Sequence, residues 1–352
     1  MTPSFTFGGF PVRIVFGARA LDQVGAETER LGATRAFVLS AEWLRGDCER
    51  IVAQLGERFA GLFDQSVMHV PIEIVNAALV ACRQARADLL IAFGGGSTLD
   101  LAKAVAHELA LPILAVPTTY GGSEVTPRFG VTAEGVKRTT RDLRLLPKTV
   151  IYDPTLTFSL PCAVSAASGI NAIAHAAEAL YAPDGSPITV LFAEEGIRRL
   201  AHALPEVIEN PTDLAARSDC LYGASLCGAV LGLITMGLHH KLSHTLGGSF
   251  NLPHAEVHSI VLPHVLRYNA AAVPDAMSRI ARALEAEDAA EGVAELRARL
   301  GVPSSLREIG MHESDLDRAA RLATDAPYPN PRSYDTAQVR RLLEDAYHGE
   351  LS

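Results

Sequence analysis

Apolar positions in the first 150 residues fall in short, unbroken runs. They are "VRIVFG" at 12–17, "RAFVLS" at 35–40, "DLLIAF" at 88–93, "PILAVP" at 112–117 and "TVIYD" at 149–153. Runs of this length, rich in aliphatic and β-branched residues and bounded by Gly, Pro or charge, predict buried strands. Between several of them the apolar residues recur at helical spacing, as at 20–31 and 71–86. Strands alternating with helices predict a parallel sheet covered on both faces. Two stretches break the rhythm: "VTPRFGVTAEGVKRTT" (125–140) predicts a hairpin and the Pro-rich "LLPKTVIYDPTLTFSLP" (145–161) a linker. Beyond about residue 155 strand signals vanish and Ala, Leu, Glu and Arg dominate. Residues 165–182, 187–207, 212–232, 235–247, 255–269, 272–286, 288–300 and 336–347 carry helical periodicity. The pattern predicts an α/β N-terminal domain over 1–155, with a Rossmann-like parallel sheet, and an all-helical C-terminal domain over 156–352.

Composition narrows the function classes. The chain of 352 residues is 48% hydrophobic and 20% charged, which sets it apart from disordered chains. A net charge of −9 leaves no basic footprint for nucleic acid. Five scattered cysteines without a CxxC point to a reducing compartment, and no apolar run approaches a membrane span. The N-terminus lacks a basic region followed by an apolar core, so no signal peptide is expected. These features together predict a cytoplasmic protein without nucleic-acid or membrane partners.

Three features carry chemistry. "IAFGGGSTLDLAKAVAHEL" runs from a strand into a helix, so Gly95, Gly96 and Ser97 stand where backbone amides meet an anion. A phosphate or pyrophosphate is the natural guest. "PTTYGGSEVTP" (117–127) follows the next strand and adds Thr118 and Thr119 on the same rim of the sheet. Asp100 either orients the loop or caps the helix. The third feature is a concentration of histidine, with six of twelve between His239 and His264. His240 and His244 are four apart, as are His254 and His258, and Asn171 and His175 in "GINAIAHAAEALY". This spacing sets two side chains on one helix face. Three imidazoles, His175, His240 and His254, are expected to converge, with Asn171 as a fourth position. An amide is a poor ligand for a transition metal. His239, His258 and His264 are read as polar contacts within the helical bundle.

These motifs, in order and over nearly the whole chain, resemble the iron-containing (group III) alcohol dehydrogenase family. "GGGSTLDLAK" resembles its cofactor loop, "PTTYGGSEVTP" its second loop one residue shorter, and "GINAIAHAAEALY" its GxDAxxHAxE segment. "HHKLSHTLGGSFNLPHAEVHSIVLPHVLRYN" resembles its HxxxHxLG…HGxAxxxxLPxVxxFN segment, and "NPR" at 330–332 a C-terminal element. The resemblance implies a dehydroquinate synthase-like fold, and it sets the family's metal ligands on Asn171, His175, His240 and His254. The usual aspartate is asparagine here. That exchange, the short loop and "YPNPR" resemble one branch of the family, the maleylacetate reductases. For these the resemblance implies NADH- or NADPH-dependent reduction of the C=C bond of a dicarboxylate, maleylacetate, to 3-oxoadipate in aromatic catabolism, without a metal. The alternative within the family is a metal-dependent alcohol dehydrogenase.

On that footing His244 and His254 are expected to act as acid and enolate-stabilising groups, with His175, His240 and Asn171 lining the pocket. Tyr328, Asn330 and Arg332 are further candidates for substrate contact, unless "PYPNPR" is a structural loop. Gly95, Gly96 and Ser97 are expected on the pyrophosphate, Thr118 and Thr119 on the adenine or ribose side, and Lys137 near the ribose or in solvent. Ser40 ends the second strand, where an acidic residue often selects NAD; serine leaves room for a 2′-phosphate. A homodimer is implied, with "FTFGGFPVRIVFG" pairing across a two-fold axis.

Overall fold

The fold comes from a computed structural model that describes residues 5–134 and 136–351, apart from the side chains of Val136 and Lys137. The chain divides into two units. One spans Gly9–Leu160; the other begins at Pro161 and includes the described N-terminal residues up to Gly8.

The first unit is a six-stranded sheet. Its strands are β1 (Arg13–Phe16), β2 (Ala36–Leu39), β3 (Phe59–Phe63), β4 (Leu89–Gly94), β5 (Ile113–Pro117) and β8 (Thr149–Tyr152). The order is β1-β8-β5-β4-β2-β3, and every pairing is parallel. Leu89 to Phe93 are wholly buried. Burial on both faces is why these strands read as continuous apolar runs rather than alternating ones. The covering helices are α1 (Val24–Arg30), α2 (Arg45–Leu55), α3 (Ile72–Gln84) and α4 (Gly96–Leu109). The hairpin of β6 (Arg128–Ala133) and β7 (Val136–Arg141) forms where the sequence predicts it. From β2 the chain moves outward to β3, then returns past β2 to β4. The carboxyl ends of β2 and β4 therefore border the switch point where open sheets of this kind hold ligands. β1 is an edge strand, with Ile14 and Phe16 exposed.

Two elements of this unit are silent in the sequence. β3, "FAGLF", is short, half-buried and interrupted by Gly61. A Cβ at Gly61 would stand 2.7 Å from the Phe37 ring, beside a register shift between Ala36 and Phe37. The position keeps glycine at the cost of the strand signal. α2 is mostly polar, with only Cys48, Ile51 and Leu55 buried.

The second unit is helical: α5 (Cys162–Ala179), α6 (Pro187–Glu209), α7 (Leu214–Leu233), α8 (Leu238–Phe250), α9 (His254–Asn269), α10 (Pro274–Ala283), α11 (Ala289–Arg299), α12 (Leu316–Asp325) and α13 (Thr336–His348). α5 is its centre. Every residue from Ser165 to Ala179 is buried, against α6, α7 and α9. The helices approach closely because small residues face each other. A Cβ at Gly169 would lie 2.6 Å from Leu204, and one at Gly196 2.6 Å from Cys227 Sγ. α12 escapes the sequence pattern because its buried stripe, Leu316, Ala319, Ala320 and Ala323, is mostly alanine. Among the described residues no single helix is long and apolar enough to cross a membrane.

Candidate active site

In the α/β unit the two Gly-rich loops are tied to each other. β4 ends at Gly94, whose φ of 155° lies outside ordinary L-residue space, and a Cβ there would come 2.5 Å from Thr98 Oγ1. A Cβ on Gly95 would come 2.9 Å from Thr119 Cγ2. Gly94 and Gly95 thus let the first loop turn and let the second lie against it. The Thr118 amide donates to the Gly94 carbonyl at 3.1 Å. α4 then begins at Gly96, so Gly96 and Ser97 carry first-turn amides that have no acceptor four residues back in the helix.

Asp100, one turn on, accepts from Ser123 Oγ at 3.0 Å and from the Gly130 amide at 3.1 Å. Of the two roles left open for it, the geometry is that of a loop support. Lys103, which is not placed as in a Walker loop and to which the sequence assigns no role, lies beside it; the "DLAK" spacing puts both on one face. Its buried amine donates to the Ser123 and Arg128 carbonyls at 2.5 and 2.8 Å and to the Ser123 and Thr126 hydroxyls at 2.9 and 3.3 Å. Burial pushes that amine down to about 8, against the charges of Asp100 and Glu124. Ser40 corrects an expectation. It is fully buried and its hydroxyl donates to the Phe93 carbonyl at 2.9 Å, so its side chain joins β2 to β4 and does not face a ligand. The side chain of Lys137 lies outside the described residues.

The helical unit gathers the histidines. α5 presents Asn171, His175 and Glu178; α8 presents His239, His240 and His244; α9 presents His254 and His258. His175 Nδ1 and His240 Nε2 are 2.9 Å apart, and His240 Nδ1 is 2.7 Å from Glu178 Oε2. Glu178 also accepts the amides of Gly237 at 2.7 Å and His239 at 2.8 Å. Gly237 eases this approach, since a Cβ there would crowd Glu178 Oε1 at 3.0 Å and the Pro329 carbonyl at 3.2 Å. Burial raises the Glu178 carboxyl, opposed by the amides around it. His239 Nε2 and His258 Nδ1 form a second pair at 2.9 Å, both rings fully buried. Burial pushes His239 down to about 3 and His258 well below the usual histidine range.

The expected convergence of His175, His240 and His254 takes a different form. The nitrogens that cluster, within 4.8 Å of one another, belong to His175, His240 and His258. His254 packs edge-on against His258, with ring centres 4.5 Å apart, and lies nearly parallel to His244 at 6.5 Å. The cluster is layered: His175 and His240 are buried, His244 and His254 half-buried. Tyr328 joins the rim, its hydroxyl 3.5 Å from His244 Nδ1. Arg332 does not. Its guanidinium sits 4.2 Å over the Tyr268 ring and donates to the Tyr268 carbonyl at 3.0 Å, holding its loop to α9. Asn330 pairs with Asn269 at 2.7 and 3.0 Å. Both are loop-holding contacts, which is the structural side of the alternative stated for "PYPNPR". The Asn171 amide oxygen is buried with no hydrogen-bond partner among the described residues. Such a group signals strain or something the chain alone does not supply.

Comparison with known proteins gives a consistent picture. Residues 11–154 match the family model described as iron-containing alcohol dehydrogenase, and 165–347 match the Fe-containing alcohol dehydrogenase family, C-terminal. A maleylacetate reductase from Burkholderia cepacia is 54% identical over 98% of each chain. A structure described as a putative alcohol dehydrogenase from Ralstonia eutropha is 56% identical, covers 99% of each chain and superposes with a TM-score of 0.97. A maleylacetate reductase structure from Agrobacterium tumefaciens is 47% identical over the full length of both, with a TM-score of 0.95. The chain belongs to the iron-containing alcohol dehydrogenase family.

Proposed function

We propose that this chain reduces the C=C bond of maleylacetate to give 3-oxoadipate, with NADH or NADPH as reductant and without a metal. The observation that carries this reading is the cluster of imidazoles from α5, α8 and α9, with the neutral amide Asn171 one turn before His175 on α5 where the family pattern has a carboxylate. The high identity to maleylacetate reductases supports it.

The family implies an iron or similar ion, and His175, His240 and His258 bring nitrogens within 4.8 Å of one another; what supports a metal-free reading is the neutral amide of Asn171 at the position that resembles the family's anionic ligand. His175 Nδ1 and His240 Nε2 are 2.9 Å apart and hydrogen-bonded to each other. Glu178, the carboxylate beside the cluster, is engaged with the Gly237 and His239 amides and with the far side of His240. No step is therefore assigned to a metal.

The substrate suits such a pocket. Maleylacetate is a ketone conjugated to an alkene and flanked by two carboxylates. The loops at Gly95, Gly96, Ser97, Thr118 and Thr119 fit a dinucleotide pyrophosphate, and the bound nicotinamide supplies the hydride. Addition at the alkene carbon β to the ketone moves negative charge to the ketone oxygen. A protonated imidazole from His244 or His254 stabilises that enolate by hydrogen bonding, and the other protonates the α-carbon. An isolated carbonyl gains most from a Lewis acid, whereas an enone spreads the charge before it needs a donor. Asn171 keeps a like charge away from the dianion. Ser40, directly after β2, spends its hydroxyl on β4; the lack of a carboxylate at that position supports acceptance of both NADH and NADPH. The exposed edge strand β1, carrying Ile14 and Phe16, supports a homodimer formed along that edge.

The direct test is oxidation of NADH or NADPH on addition of maleylacetate to the purified protein. Rapid turnover supports the proposal; activity on simple alcohols or aldehydes, but none on maleylacetate, overturns it. A second prediction follows from Asn171. Asn171→Asp supplies the missing anionic ligand and is expected to bind about one Fe or Zn per chain, measured by elemental analysis. The same charge is expected to lower kcat/KM for maleylacetate by at least about tenfold, because like charges in a desolvated pocket repel by several kcal/mol. A variant without metal and with unchanged kinetics would mean that Asn171 has no part in the choice.

A further inference from the structure

We propose that Glu178 is a positioning residue, which fixes the tautomers of His240 and His175 so that His175 turns a lone pair on Nε2, and not an N–H, to its surroundings. The proposal rests on the reading of the histidine cluster as the reaction site, and follows from counting donors.

Backbone amides can only donate. Gly237 donates to Glu178 Oε2 and His239 to Oε1, so both carboxyl oxygens already accept. The third partner, His240 Nδ1, lies 2.7 Å from Oε2, and a carboxylate there requires Nδ1 to carry the hydrogen. In a neutral ring His240 Nε2 then holds the lone pair. His175 Nδ1 stands 2.9 Å from that lone pair and must donate to it. The remaining nitrogen of a neutral His175, Nε2, is therefore an acceptor. Any proton His175 takes up enters at Nε2, and no bond in the chain from His175 to Glu178 has to break. The resulting imidazolium is joined through His240 to the carboxylate. The second pair, His239 and His258, has no such anchor, and its outer nitrogens, His239 Nδ1 and His258 Nε2, have no hydrogen-bond partner among the described residues.

Three features build the arrangement into the fold. Glu178 is three residues after His175 on α5, so both reach one side of the helix. Gly237 precedes α8 and leaves room for the carboxylate under the helix start. Glu178 itself has no solvent exposure, so water does not compete for its oxygens.

The test is ¹⁵N NMR of the ligand-free protein with labelled histidine, which reads each ring's tautomer without any substrate. The wild-type spectrum is expected to show His175 and His240 both with hydrogen on Nδ1. Finding either as the Nε2–H tautomer overturns the proposal, and no variant has to fold for that result. Glu178→Gln replaces two acceptor oxygens by one. Its carbonyl is expected at the Oε2 position, where the Gly237 amide and His240 Nδ1 both donate, so both tautomers are kept; Glu178→Leu, which removes the acceptor, is expected to lose the Nδ1–H preference of both rings and to lower kcat about 10- to 100-fold with little change in KM. A Glu178→Leu spectrum and kcat equal to wild type would also overturn it. A failure of maleylacetate turnover alongside the expected wild-type tautomers would refute the substrate and leave the tautomer assignment standing.

Discussion

Replacing either His244 or His254 by alanine is expected to lower kcat for maleylacetate reduction by about 100-fold or more, the usual worth of a positioned acid. The two rings differ from the other histidines of the cluster. They are half-buried and nearly parallel, at 11°, whereas His239 and His258 are sealed in and paired with each other. Sealed imidazoles held neutral by burial cannot hand protons to a substrate at ordinary pH. His244 is further flanked by the Tyr328 hydroxyl, a group able to orient its ring. If the two share the enolate and the proton, each loss should show chiefly in kcat and the double variant should fall well short of multiplicative. Near-wild-type rates in both single variants would mean that the acid lies elsewhere in the cluster, with His175 the next candidate.

Stability is expected to fall as the pH drops below about 6.5, before most carboxylates titrate. His264 is buried on α9, and burial, assisted by Arg297, pushes it down to about 4; His239 is pushed to about 3, and His258 is held well below the usual range. Unfolded histidines bind protons near 6.5 while these three stay neutral in the fold. The unfolded chain then binds more protons, so stability is fully present above 6.5 and is lost progressively toward pH 4. At about 1.4 kcal/mol per pKa unit, His264 alone contributes on the order of 3 kcal/mol to this loss. The buried Glu124 and Glu178 carboxyls are raised by burial and work in the opposite sense, but two such groups stand against three. Urea midpoints at pH 8, 6 and 5 measure the trend. His264→Leu should flatten the slope between pH 6.5 and 4. A wild-type midpoint that stays level down to pH 5 would show that these imidazoles are charged, or hydrated, in the fold.

The sequence makes legible those features whose local pattern is also their structural reason. The strands buried on both faces have to be apolar runs, and the β4–α4 turn has to be glycine where Cβ atoms would meet Thr98 and Thr119. The histidine pairs show because helical spacing is a property of the chain. What stays hidden depends on partners distant in sequence. Ser40 looks like a cofactor contact until β4 is seen to take its hydroxyl, and Arg332 like a carboxylate clamp until Tyr268 is seen beneath it. Glu178 stands in the same helix segment as Asn171 and His175, yet its role depends on the start of α8, some sixty residues later. The exchange of His254 for His258 in the tight cluster follows from the way α9 faces α5. One turn along the helix decides which ring meets His175, and spacing alone does not choose.

On the function proposed above, the histidine cluster runs conjugate reduction of a dicarboxylate on imidazoles alone. The measurement closest to it is NAD(P)H oxidation with maleylacetate by protein purified without chelator, before and after exhaustive EDTA treatment, with metal content determined on the same samples. The account predicts rapid turnover in both samples at equal rates and no stoichiometric metal in either. Stoichiometric iron or zinc in the untreated protein, together with activity that disappears on EDTA and returns with the metal, would contradict it.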